Sequence, residues 1–164
     1  METTELQTRK RHGFVTFWLW LGIIANLITG ILSLDLKNYF ETLYFYSQNS
    51  YSFLFGGSAA SQIETLGLIL TVIAVIASIL GIIFYINLLR WKKNAFWGLV
   101  VTALIVAIAD VIVMNLMKEA FLQGGLVLNW SPTMQIIITP ISILILFGIL
   151  QISKNGVSCW KNLE

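Results

Sequence analysis

Residues 65–94 read TLGLILTVIAVIASILGIIFYINLLRWKKN, an apolar run from Thr65 to Leu89 that stops on Arg90, Trp91, Lys92 and Lys93. A helix rises 1.5 Å per residue, so about 20 apolar residues cross the roughly 30 Å of bilayer hydrocarbon. The run is long enough to span a membrane, and the basic turn marks where it leaves the lipid. Runs of the same kind lie on either side, at Gly13–Leu34, Ala95–Met117 and Met134–Ile152. Barrel strands would be about ten residues long and would alternate polar with apolar side chains; no such alternation occurs. The expected fold is all-α, a four-helix transmembrane bundle.

The composition agrees. Of 164 residues, 57% are hydrophobic and 11% charged, and the mean hydropathy is +0.83. Four spans occupy more than half the chain, which excludes a separate soluble catalytic domain. Arg9, Lys10 and Arg11 before the first run resemble the basic region of a signal peptide. That run, however, exceeds the length of a cleaved segment, and no small-x-small site follows it, so it reads as a retained anchor. The single cysteine, Cys159, excludes an intrachain disulfide.

Basic residues near span ends are retained in the cytoplasm. Of the 10 Lys and Arg, Arg9, Lys10, Arg11, Arg90, Lys92, Lys93, Lys154 and Lys161 fall on one side, and Lys37 and Lys118 on the other. Segments 1–12, 90–94 and 153–164 are therefore expected in the cytoplasm with both termini, and segments 35–64 and 118–133 outside. Topology accounts for the basic patches without nucleic acid. Trp18, Trp91, Trp97 and Trp130 lie near span ends, where amphipathic rings anchor a helix at the interface.

Local signals mark the boundaries. Ser61-Gln62-Ile63-Glu64 has the form of a capping box ahead of span two, and Ser131-Pro132 supplies an N-cap and a first-turn proline for span four. In the first outer loop, Asp35 stands as an N-cap. Leu36, Tyr39, Phe40 and Leu43 then keep helical spacing while Lys37, Asn38 and Glu41 face elsewhere. A short amphipathic helix on the outer membrane surface is expected there. The aromatics Tyr44, Phe45, Tyr46, Tyr51, Phe53 and Phe55, with Gly56-Gly57, either line the interface or present a partner-binding surface.

Small residues form stripes inside the spans. Gly67, Thr71, Ala74, Ser78 and Gly81 share one face of span two, Ala103 and Ala107 lead to Asp110 in span three, and Gly22, Asn26, Gly30 and Ser33 line span one. Such stripes let helices approach closely, leaving bulky residues such as Leu70 for the lipid. Asp110 is the one acid inside a span, and an ionised carboxylate there costs several kcal/mol unless it is paired, hydrated or protonated. No Lys or Arg lies in any span. By the helix rise, Asp110 stands about 22 Å from the cytoplasmic end of its span, and Asn26 and Thr139 about 20 Å from theirs. These groups are at one depth, with Ser142 and the carbonyl freed by Pro140 close by. Asp110 therefore either hydrogen-bonds Asn26 and Thr139 and fixes the bundle's register, or binds a proton or cation.

Other chemistry is not indicated. His12 has no neighbours at metal-ligand spacing, Cys159 has no partner that would make it a nucleophile and reads as a reduced bystander, and no phosphate loop, zinc-protease helix or catalytic triad is present. No enzyme, cofactor or metal is expected. The expected partners are the bilayer and either a second copy of the chain or another membrane protein.

Three stretches carry a resemblance: Gly13-Phe14-Val15-Thr16-Phe17-Trp18, Leu89-Arg90-Trp91-Lys92-Lys93 through Phe96-Trp97-Gly98, and Lys154-Asn155-Gly156-Val157-Ser158-Cys159-Trp160-Lys161. In these the chain resembles uncharacterised small four-span membrane proteins of Bacteroidetes bacteria, which more often have a small residue such as Ala in place of Cys159. The resemblance implies a bacterial inner-membrane location and no particular activity. Two functional readings follow from the residues. The leading one is an accessory, assembly or immunity-type partner acting through helix faces or the outer loop; the alternative is a subunit of an oligomeric channel or transporter that uses Asp110.

Overall fold

The computed structural model describes residues 12–48, 56–123, 133–154 and 157–163. The basic run 9–11, Tyr51, Phe53, Phe55, Trp130 and the Ser131-Pro132 pair lie outside the described residues, as do the side chains of Leu43, Tyr44 and Tyr46. Five helices follow in order: α1 (Gly13–Ser33), α2 (Leu36–Gln48), α3 (Gly56–Leu89), α4 (Asn94–Gln123) and α5 (Thr133–Leu150). A two-residue antiparallel pair, β1 (Ser153–Lys154) with β2 (Val157–Ser158), and a 3-10 turn at Trp160–Asn162 complete the chain. Apart from that tail, the regular structure of the described residues is all helical. Among the described residues, three helical segments are long and apolar enough to cross a membrane: Gly13–Ser33, Ser61–Leu89 and Asn94–Leu122.

Each junction has a local cause. His12 is extended, and its Nδ1 accepts the Phe14 N–H at 3.2 Å, satisfying a donor that the first turn of α1 leaves free. Leu34 and Asp35 turn the chain, and the Asn38 amide donates to Asp35 Oδ1 at 2.9 Å as α2 begins. Between α3 and α4, the Lys92 N–H reaches the Asn87 carbonyl and the Trp91 N–H the Leu88 carbonyl, at 3.0 and 3.1 Å. This is a Schellman closure, and it places Trp91 at φ 66°, a position usually given to glycine.

Helix α3 begins at Gly56, nine residues ahead of the expected start of the span at Thr65. Ser61-Gln62-Ile63-Glu64 lies inside the helix rather than at its start: the Ser61 carbonyl accepts the Thr65 hydroxyl at 2.8 Å, Ile63 is buried, and Glu64 pairs with Lys37 Nζ at 2.8 Å. Helix α4 likewise continues past Met117 to Gln123. Hydropathy marks where an apolar run ends, whereas a helix stops only where its hydrogen-bond ladder is interrupted. At 34 and 30 residues, α3 and α4 are about 50 and 45 Å long and exceed the hydrocarbon thickness.

The overhang explains α2. Phe40 is buried with Ile63 and Leu70 of α3 and Val113, Met114, Met117, Ala120 and Phe121 of α4, so α2 packs against the α3–α4 pair. Lys37, expected to face away, turns toward α3. Its backbone lies against Gly67, where an added Cβ would sit 3.2 Å from the Lys37 Cα, and its ammonium lies 3.4 Å from Glu41 Oε1 as well as 2.8 Å from Glu64. Leu70, expected toward lipid, is buried here. Bulky side chains fill the space where helices spread beyond their close crossings.

A second core closes the opposite end. Val15 and Leu19 of α1, Leu88 of α3, Ala95 and Phe96 of α4, and Leu146, Ile149 and Leu150 of α5 cluster with Cys159 and Leu163 of the tail. The tail is a packed element. Trp160 meets Phe96 and Phe147 edge-on, each at 5.1 Å between ring centroids, and Lys93 Nζ stands 4.8 Å over the Trp160 ring. Cys159 is consequently buried in the core at this end.

Candidate functional site

Between the two cores the helices meet through small side chains. Along the antiparallel α1–α3 seam, a Cβ on Gly22 would overlap the Tyr85 ring, one on Gly81 would overlap the Asn26 amide, and one on Gly30 would lie 3.1 Å from the Ser78 Cβ. Each glycine receives a larger partner from the facing helix, which brings the backbones close. Between α3 and α4, Gly98 does the same for Phe84. Tyr85 and Gly98 are not among the packing residues expected from sequence. Tyr85 continues the α3 stripe four residues beyond Gly81, but its size and its place near a span end hide it among the interfacial aromatics.

The seam borders a cleft of about 360 Å³. Asn26 and Thr29 line it from α1, Ala74, Ser78 and Gly81 from α3, Thr102, Ala103 and Asp110 from α4, and Thr139 from α5. Three of the four residues singled out as an intramembrane polar cluster, Asn26, Asp110 and Thr139, thus share one cleft. Ser142 is exposed and does not line it. Gly22, Gly30 and Gly67 serve the helix contacts already described, and Ala107 lines a groove on the other side of α4.

The polar groups do not satisfy one another across the cleft. The Asn26 amide donates to the Gly22 carbonyl of its own helix at 2.7 Å; beyond the cleft, the Thr71 hydroxyl likewise bonds the Gly67 carbonyl at 2.9 Å and the Ser33 hydroxyl the Gly30 carbonyl at 2.8 Å. Asp110 is half-buried and makes no hydrogen bond or ion pair among the described residues.

Helix α5 reaches the cleft at Thr139, next to Pro140, which has no N–H for the carbonyl four residues earlier. It leans on α4 and touches α1 over a small area only. Toward the tail-bearing end lies the core around Leu19, Leu88 and Leu150. Among the described residues no three His, Cys, Asp or Glu side chains gather as a metal site would require. The arrangement offers one carboxylate, several hydroxyls and room for a small group. Compared with protein-family models, with curated proteins and with solved structures, the chain matches none of them.

Proposed function

We propose that the chain is a four-span, non-enzymatic protein of a bacterial inner membrane, with both termini cytoplasmic, whose mid-membrane cleft binds a cationic group at Asp110. Crossing by α5 is part of this reading. Its 18 residues extend about 27 Å, within the range that local thinning of the bilayer accommodates. The orientation rests on the eight-to-two distribution of Lys and Arg, and the bacterial setting on the sequence resemblance.

One observation carries the reading: Asp110 lines the same cleft as Asn26 and Thr139 but bonds neither. An unpaired carboxylate at membrane depth needs a proton, water or a cation. Small residues leave room for one where bulky ones would have filled it. This favours the transporter-type alternative over a purely accessory role. A simple pore through one copy is disfavoured, because a packed core occupies the tail-bearing end of the bundle.

Flux in reconstituted vesicles, driven by a pH or sodium gradient, tests the reading. Asp110→Asn keeps shape and most hydrogen-bonding capacity and removes the charge. It should abolish flux while leaving thermal stability within about 1 kcal/mol of the parent. A parent protein that moves no ion and binds no cation would overturn the proposal.

A further inference from the structure

Resting on that reading, we infer that the group bound at Asp110 is the head of a lipophilic monocation, an amine or onium carried on an apolar body, and that it enters from the bilayer between α4 and α5.

The inference comes from two adjoining cavities. The polar cleft of about 360 Å³ holds the carboxylate. Beside it, a groove of about 380 Å³ runs between α4 and α5, lined by Leu104, Ala107, Ile108, Val111, Ile112 and Pro140. Thr139 belongs to both and forms the threshold between them. Among the described residues that line the groove, the Thr139 hydroxyl is the one polar side chain. Ile108 and Ile112 on α4 and Ile141 and Leu144 on α5 are exposed, so this side of the bundle faces the acyl chains. A charged compartment joined to an apolar one of similar size matches a ligand that is itself divided in that way.

Size and hydration both argue against a bare metal ion. A cleft of about 360 Å³ falls in the range of about 300–1,000 Å³ typical of small-molecule sites. A hard cation would need several converging oxygens, yet Asp110 is the one carboxylate lining the cleft among the described residues, and the Asn26 Oδ1 lies against Gly81. A weakly hydrated organic cation loses less on leaving water and neutralises the carboxylate directly. Its apolar body gains the groove, at about 25 cal/mol for each Å² removed from water.

The test uses the full-length protein in lipid nanodiscs with labelled tetraphenylphosphonium, and with tetramethylammonium as a probe of equal charge without apolar arms. Tetraphenylphosphonium should bind saturably and at least tenfold more tightly than tetramethylammonium. Asp110→Asn should weaken its binding at least tenfold, and Ala107→Phe, which fills the groove, should do so with the melting temperature unchanged. Should Ala107→Phe fail to fold, the two probes on the parent protein still decide. Equal binding of the probes, or tetraphenylphosphonium binding that is indifferent to Asp110→Asn, would overturn this inference. If Asp110-dependent proton or sodium flux appears without saturable tetraphenylphosphonium binding, this inference fails and the cation-binding reading stands. If neither binding nor flux depends on Asp110, both fail.

Discussion

Trp91 occupies the left-handed position that ends α3, with φ 66°, and a residue with a Cβ in that region costs about 1–2 kcal/mol. Its ring packs against the core that holds Leu88 and Phe96, so removing it has two effects of opposite sign. A pair of variants separates them. Trp91→Ala and Trp91→Gly both lose the ring, but only glycine also relieves the backbone, so the glycine variant should be the more stable by about 1 kcal/mol in thermal unfolding. Equal stability would mean that the turn changes conformation once the ring is gone. Lys37 carries the other residue-scale expectation. Its hydrogen bond to Glu64 holds its pKa above the ordinary lysine value, with Glu41 contributing. A folded-state value above the unfolded one stabilises fully below the unfolded value, and that contribution is lost as pH rises through the folded one. The stability difference between the parent and Glu64→Gln should therefore be small but present at about pH 9 and should vanish toward about pH 12. A difference that persists there would show that Glu64 acts other than through Lys37.

At the scale of helices, the seams decide stability more than the lipid-facing surface does. Gly81 lies against Asn26, whose amide is held by the Gly22 carbonyl and cannot simply turn away. Gly81→Leu should lower stability by about 1–3 kcal/mol, as overpacking does, whereas Ile76→Phe, on the exposed side of the same helix, should change it little. Similar losses for both, read by thermal unfolding in one detergent, would place the seam on another face. The seam was legible because small residues three and four apart have few uses in a membrane helix other than close approach. Its large partner Tyr85 was not, since an aromatic near a span end reads equally well as an interfacial anchor. The limits of α3 were hidden for a different reason. Ser61 and Glu64 have the same spacing in a cap and in a helix interior, and only Lys37 from α2 shows where the carboxylate goes. The tail was also obscured: Trp160 and Leu163 carry no periodicity over so short a stretch, and their burial depends on Phe96 and Phe147 from two other helices.

The whole molecule is asymmetric along its length, with a core of four helices and the tail at one end, a core of α2, α3 and α4 at the other, and the polar cleft between them. The depth shared by Asn26, Asp110 and Thr139 was readable from the helix rise, while the absence of bonds between them depends on rotamers that no spacing reveals. Which end faces the cytoplasm then determines which side of the membrane the closed core protects. Lys92 and Lys118 lie at opposite ends of α4 and are both exposed, so a cysteine at each reports the orientation. Cys159 is buried and is best replaced by alanine in the parent for this experiment. If the basic turn is cytoplasmic, a membrane-impermeant maleimide added to intact cells should label Lys118→Cys, and should reach Lys92→Cys only after the cells are permeabilised. The reverse pattern would invert the molecule. The tail-bearing core would then face outward, while the lateral route between α4 and α5 would be unchanged, because a path from the bilayer does not depend on which end faces the cytoplasm.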